Sequence, residues 1–249
     1  MRRSHVNEAL SDYEYVMEHP LAQFEVTALL NAADIHFKNR NYRAAIKCYQ
    51  RLQQMDLLPS NKEATALGLM RSYYADSNFN SATIMAKTLL GLDKVSNEMR
   101  EEAHAVIARS AVSLKDWAVA AQEFGWLSKN SKSEYASEAL YMLANIEYLQ
   151  GDLETAEKKV FEVLVNIAYE YWSVKSYILL GDIYAEKGNT FQAKHTYLSI
   201  IDNYDGEELR TLALNKYNSL LAKEEAAAKQ QQQRQEELDR QNDNLELGN

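Results

Sequence analysis

An alanine recurs along this chain at Ala9, Ala45, Ala82, Ala120, Ala156 and Ala193, each 36 to 38 residues after the last. A period this narrow marks an array of repeated structural units and constrains the fold more than any other feature. Four residues before each of the last five alanines stands Asn41, Asn78, Asp116, Asp152 or Asn189. Side-chain oxygens of Asn and Asp accept the free N–H groups of a first helical turn, so each position predicts the start of a helix with the same chemistry. A large apolar residue follows in four copies (Tyr42, Phe79, Trp117, Leu153), and the last copy has Thr190 and then Phe191. Four residues after each alanine come Tyr49, Ala86, Phe124, Val160 and Tyr197. Three further on come Leu52, Leu89, Leu127, Val163 and Ile200. Together they draw one buried stripe on each of these helices.

The segments before the caps carry a second stripe. Leu29, Ala32, Ala33 and His36 lead, followed by Ala66, Leu69, Met70 and Tyr73, then His104, Ile107, Ala108 and Ala111. Leu140, Leu143, Ala144 and Glu147 come next, with Tyr148 beside Glu147. The clearest copy runs from Tyr177 to Ile200. Tyr177, Leu180, Gly181 and Tyr184 are expected on the buried face of its first helix, and Ala193, Tyr197 and Ile200 on that of its second, with Gly188-Asn189 as the turn. Small Gly181 and Ala193 are expected where the two helices cross closely. A hairpin of this kind buries one side of each helix and needs neighbours. Only 8 Gly and 2 Pro occur among 249 residues, too few turn formers for an all-β chain. The expected class is all-α.

The order of a large residue, Leu-Gly, Tyr, Ala and an aromatic, carried by Tyr177, Leu180, Gly181, Tyr184, Gly188, Ala193 and Tyr197, resembles that of tetratricopeptide repeats. The resemblance covers about residues 4–203. It implies a right-handed α-solenoid of helix-turn-helix repeats. On this reading residues 4–221 form the solenoid: a half-repeat at 4–25 with Ala9, Tyr13 and Val16 as its stripe, then repeats at about 26–62, 63–100, 101–136, 137–173 and 174–206. A capping helix follows at 207–221, with Leu209, Ala213, Tyr217 and Leu220 on one face. Residues 222–249 are a polar Gln/Glu-rich tail, expected to be a fraying helix passing into disorder. Pro20 and Pro59 are expected in turns between repeats, with Ser60-Asn61 and Ser96-Asn97 offering caps for the next helix.

The net charge of −9 leaves no basic surplus, so nucleic acid is not an expected partner. No apolar run reaches the length of a membrane span, and the N-terminus lacks the apolar core of a signal peptide. The expected location is cytoplasmic for the chain as written, and periplasmic or cell-envelope if it is a fragment of a longer precursor. The phrase HTYLSIIDNYDGEE is similar to repeats of bacterial cell-envelope proteins. Cys48 falls within a helical pattern and is expected to pack there. His5, His19, His36, His104 and His195 make no ligand pair, and His36 and His104 fall on buried stripes. No nucleophile elbow, phosphate loop or metal motif occurs. The expectation is a non-enzyme without cofactor or metal.

In the family the first helices line a concave groove, and the resemblance places Leu30, Asp34, Phe37, Leu67, Arg71, Tyr74, Ala105, Arg109, Val112, Tyr141, Asn145, Tyr148, Ile178, Asp182 and Ala185 on it. The candidate partner site is Arg71, Arg109 and Asn145 with Tyr74, Tyr141, Tyr148 and Phe37. Two guanidiniums and an amide suit an acidic segment or a C-terminal carboxylate, and the aromatics supply rigid apolar contact. The competing reading is that Asp34 and other acids already neutralise the arginines. Leu30 and Asp34 stand where the chaperone-binding members carry the Lys and Asn of their carboxylate clamp. Trp126 and Trp172, the latter expected in a turn, are assigned to packing between repeats. The functional expectation is a scaffold that binds a protein or peptide segment. The alternative is the structural C-terminal part of a longer bacterial envelope protein acting through array-to-array or tail contacts, with self-association through the N-terminal half-repeat.

Overall fold

The structure is a computed structural model that describes residues 10, 11, 13, 15, 16, 22–166 and 168–246. Among these residues it is all-α, with eleven helices: α1 (Ala22–Lys38), α2 (Tyr42–Gln53), α3 (Pro59–Ala75), α4 (Phe79–Leu90), α5 (Asn97–Ser113), α6 (Trp117–Asn130), α7 (Glu134–Leu149), α8 (Leu153–Asn166), α9 (Glu170–Glu186), α10 (Thr190–Asn203) and α11 (Glu207–Glu246). None is long and apolar enough to cross a membrane. Ala9, Pro20, His5 and His19, and with them most of the half-repeat expected at 4–25, lie outside the described residues. Of that stripe, Tyr13 packs against the α1–α2 core, and its hydroxyl accepts a bond from Asn31 Nδ2 at 3.2 Å.

The repeat chemistry centres on one turn, copied five times. Ala45, Ala82, Ala120, Ala156 and Ala193 are each fully buried. Each alanine N–H donates to the carbonyl of the residue four before it, at 2.9 to 3.1 Å. The residue before each cap adopts positive φ: Arg40, Ser77, Lys115, Gly151 and Gly188. The cap N–H then donates five residues back, from Asn41 to His36, Asn78 to Tyr73, Asp116 to Ala111, Asp152 to Glu147 and Asn189 to Tyr184. This is the paired bonding of a left-handed C-terminal cap, which satisfies the last carbonyls of the first helix. Gly151 and Gly188 adopt that conformation without steric cost, whereas Arg40, Ser77 and Lys115 carry a Cβ into it. The side-chain caps are less uniform than the sequence suggests. Asn78, Asp116 and Asp152 accept from the N–H three residues on, and Asn41 and Asn189 make no side-chain cap bond.

Other local expectations need correction. Pro59 is the first residue of α3, with Leu58 in the cap position, so Ser60 and Asn61 lie inside the helix. A proline suits this place because its missing N–H would have no intrahelical partner. Ser96 does cap α5, accepting from Met99 N–H. Tyr177 is 43% exposed, and Val174, Ile178, Leu179 and Ile183 fill the buried side of α9 instead. That helix is covered by α8, α10 and α11, so its buried face is wider than one stripe. Phe191 is 70% exposed. Trp172 lies in the first turn of α9, not in a loop.

The chain divides into two compact units, residues 1–139 and 140–249. In the first, α1 packs on α2, α3 on α4 and α5 on α6. The hairpins join through α2–α3 and α4–α5, and the first helices also touch through α1–α3 and α3–α5. In the second, Ala144, Ala156, Val160, Leu179, Leu180 and Ile183 form one core. Val174, Ile178, Ala193, Tyr197, Leu209 and Ala213 form the next, which brings α11 onto α9 and α10. Hairpins that pack only on their sequence neighbours define an α-solenoid. Beyond Leu221, α11 continues as helix to Glu246, and its side chains from Ala222 to Leu238 are exposed.

Candidate functional site

In the first unit, a cleft of about 280 Å³ opens between α1 and α3. Leu30, Phe37 and Leu67 supply its apolar lining, and Asn31, Asp34 and Arg71 its polar one. Tyr49 of α2 belongs to the lining because α3 carries Gly68 opposite it. A Cβ on Gly68 would stand 2.1 Å from the Tyr49 ring. Burial, with Asp34 adding its charge, pushes the Tyr49 phenol up to about 12 from an ordinary value near 10. Its folded pKa is raised, so the stabilisation is complete below pH ~10 and is lost as the pH rises toward ~12. Urea midpoints should therefore fall over that window, and Tyr49→Phe should make the fall shallower while leaving the midpoint at pH 7 nearly unchanged.

The arginines are already paired. Arg71 donates from Nε and Nη2 to the two carboxylate oxygens of Glu102, both at 2.6 Å. Arg109 does the same to Glu138 at 2.6 and 2.5 Å. The competing reading thus describes both side chains, with different acids from the one expected. Asp34 turns back to Lys38 at 2.7 Å, and the neutralising carboxylates come from the next first helix along. Its hydrogen bond to Glu102 leads in holding the Arg71 guanidinium above its ordinary value. At Arg109 burial opposes the charge, and the bond and charge of Glu138 outweigh it. In neither arginine does Nη1 take part in these pairs. Tyr135, which the sequence did not single out, lies under Arg109 with its ring centroid 5.6 Å from the guanidinium carbon. Burial raises its phenol pKa, as it does that of Tyr74, whose ring meets Phe79 edge-on at 5.7 Å. Phe37 packs on Tyr42 at 5.5 Å.

His104 is satisfied rather than open. Its Nδ1 lies 2.5 Å from a Glu123 carboxylate oxygen and its ring stacks on Trp126 at 3.7 Å. Cys48 is buried in the first core. Among the described residues no cluster of three or more His, Cys, Asp or Glu could hold a metal.

The remaining candidates, Tyr141, Asn145 and Tyr148, lie in the second unit. Tyr141 packs on Trp172 at 5.6 Å, and burial pushes its phenol up to about 12. Tyr148 donates its hydroxyl to Glu186, and burial together with that bond raises its pKa. Asn145 is half-buried. Asp182, whose repeat has no basic residue at its expected groove places, finds a partner in α11: Lys216 Nζ approaches at 2.7 and 2.9 Å. The Tyr197 hydroxyl donates to the same carboxylate at 2.7 Å.

Helical hairpins stacked in this way, with a cleft and aromatic side chains on the first helices, define a protein-interaction scaffold. A family model for the tetratricopeptide repeat-like domain matches residues 35–222, and the chain belongs to that family. The fold is similar to that of a tetratricopeptide repeat protein from Parabacteroides merdae, at 18% identity and TM-score 0.63, covering 91% of this chain and 84% of that one. YrrB, described as a TPR protein with an unusual peptide-binding site, is similar at 15% identity and TM-score 0.55, covering 82% and 97%. MamA is similar at 20% identity and TM-score 0.53, covering 83% and 96%. No curated protein matches the sequence.

Proposed function

We propose that this chain is a non-catalytic scaffold that binds an extended peptide or protein segment along its first helices, anchored in the α1–α3 cleft. The cleft carries the reading. It combines apolar walls from Leu30, Phe37 and Leu67 with a guanidinium at one side. Its volume suits one or two anchoring side chains, the usual way a segment is fixed while the rest adds contact. The peptide-binding site that names YrrB supports this use of the fold.

The ion pairs sharpen the partner. Glu102 and Glu138 cancel most of the charge of Arg71 and Arg109, so a net acidic segment gains little long-range attraction. Their Nη1 groups remain suited to donate to a peptide carbonyl or a terminal carboxylate without breaking either pair. Binding should therefore depend weakly on salt.

The partner is to be captured by affinity purification on the whole chain and its affinity measured for variants. Phe37→Ala with Arg71→Ala and Glu102→Ala, the last two removed together so that no lone charge is left, should weaken binding by about tenfold or more. Unchanged affinity in that folded variant would remove the cleft from the site, and unchanged affinity in Arg71→Ala with Arg109→Ala would remove the two arginines.

A further inference from the structure

The second unit holds an aromatic box that the repeat pattern does not require. Tyr141 of α7 and Tyr171 and Trp172 from the first turn of α9 form three walls. The Tyr171 and Trp172 rings stand at 90° with centroids 5.2 Å apart, and Tyr141 faces Trp172 at 5.6 Å and 41°. The Lys175 ammonium occupies the space between them. Its Nζ lies 4.9 Å from the Trp172 centroid, 5.2 Å from that of Tyr141 and 5.4 Å from that of Tyr171. Each distance is inside the ~6 Å over which a ring face attracts a cation. Among the described residues no carboxylate pairs with Lys175; the three rings are what hold it.

We propose that this box is a binding site for a lysine side chain of a partner polypeptide, held most tightly when its ammonium is methylated, and that Lys175 is the internal occupant it displaces. Three aromatic faces around one ammonium are the chemistry that recognises alkylated cations. Lys175 reaches the box from three and four residues along the same helix, on a flexible stem, and can swing out to water. An unmethylated ammonium is strongly hydrated, so water compensates Lys175 when it leaves the box. Its presence lowers the apparent affinity of any incoming cation by the fraction of time the box is filled. A polypeptide source is favoured because Tyr141 belongs to the first-helix face that the scaffold reading assigns to a partner. The box shares no residue with the α1–α3 cleft, so its test reports on it alone.

The test is an NMR titration of the whole chain, reading the indole N–H of Trp172, assigned as the signal lost in Trp172→Phe. The probes are three short peptides identical except for one residue: lysine, trimethyllysine or norleucine. In Lys175→Ala the trimethyllysine peptide should shift the Trp172 signal saturably, about tenfold more tightly than in wild type, with lysine weaker and norleucine inert. Lys175→Ser serves if the alanine variant does not fold. No saturable shift in either variant, or an equal response to norleucine, would overturn the site. Equal affinity in wild type and variant would overturn the role of Lys175. Saturation by phosphatidylcholine vesicles with no response to the peptides would overturn the polypeptide assignment.

Discussion

Tyr197→Ala should lower the stability of the chain by about 4 kcal/mol, seen as a drop in the urea midpoint. Its side chain is 1% exposed, is among the largest fully buried side chains, and lies opposite Gly181. Removing the ring leaves a cavity between α9 and α10 that backbone relaxation fills only in part. It also takes one of two partners from Asp182, leaving Lys216 alone on that carboxylate. Tyr197→Phe keeps the ring and should cost only about 1 kcal/mol, the value of the lost hydrogen bond. Gly181→Ala approaches the same contact from the other side. Its new Cβ would stand 2.4 Å from the ring, so a net loss of about 1–2 kcal/mol is expected even though alanine favours helix by about 1 kcal/mol.

Glu138→Ala should cost about 2–3 kcal/mol. The Glu138 side chain is 8% exposed and that of Arg109 is 34% exposed, so the deletion strands a guanidinium that water reaches only in part. Fully buried pairs lose more when broken, and the partial exposure of Arg109 scales the loss down. The double variant Arg109→Ala with Glu138→Ala should recover a substantial share of the single-variant loss, because neither charge is then left without a partner. A double-mutant cycle by urea denaturation checks both statements. If the two single losses simply add, the pair does not couple α5 to α7.

The fold was legible because one small residue recurs at the same buried place in each repeat. The five alanines from Ala45 to Ala193 are all fully buried, and the aromatic or apolar residue four places on is buried in every copy. The pattern is degenerate elsewhere because volume is traded across the hairpin. Gly181 faces Tyr197 in one repeat, whereas Met70 and Ala86 share a core in another, so neither position keeps a fixed residue type. The candidate site was less legible. Arg71 and Arg109 were found from their places on the first helices, but Glu102 and Glu138 lie 31 and 29 residues further on. The turns between repeats differ in length, so no constant offset announces the partner acid. At Asp182 the polarity is reversed, with Lys216 34 residues away. Tyr177 misled because a helix covered on several sides has no single stripe. Trp172 was read as packing, and the cation among its neighbouring rings could not be inferred from spacing alone.

The scaffold account is tested most directly by photo-cross-linking in cells. A benzophenone amino acid is placed at Asp34, which is exposed and lines the α1–α3 cleft, and in a second protein at Ile84, which is 58% exposed on α4 and is not part of the cleft lining. The account predicts a discrete cross-linked partner from position 34 that is absent from position 84 and is lost with Phe37→Ala. A partner captured only from position 84, or from both positions regardless of Phe37, would contradict it.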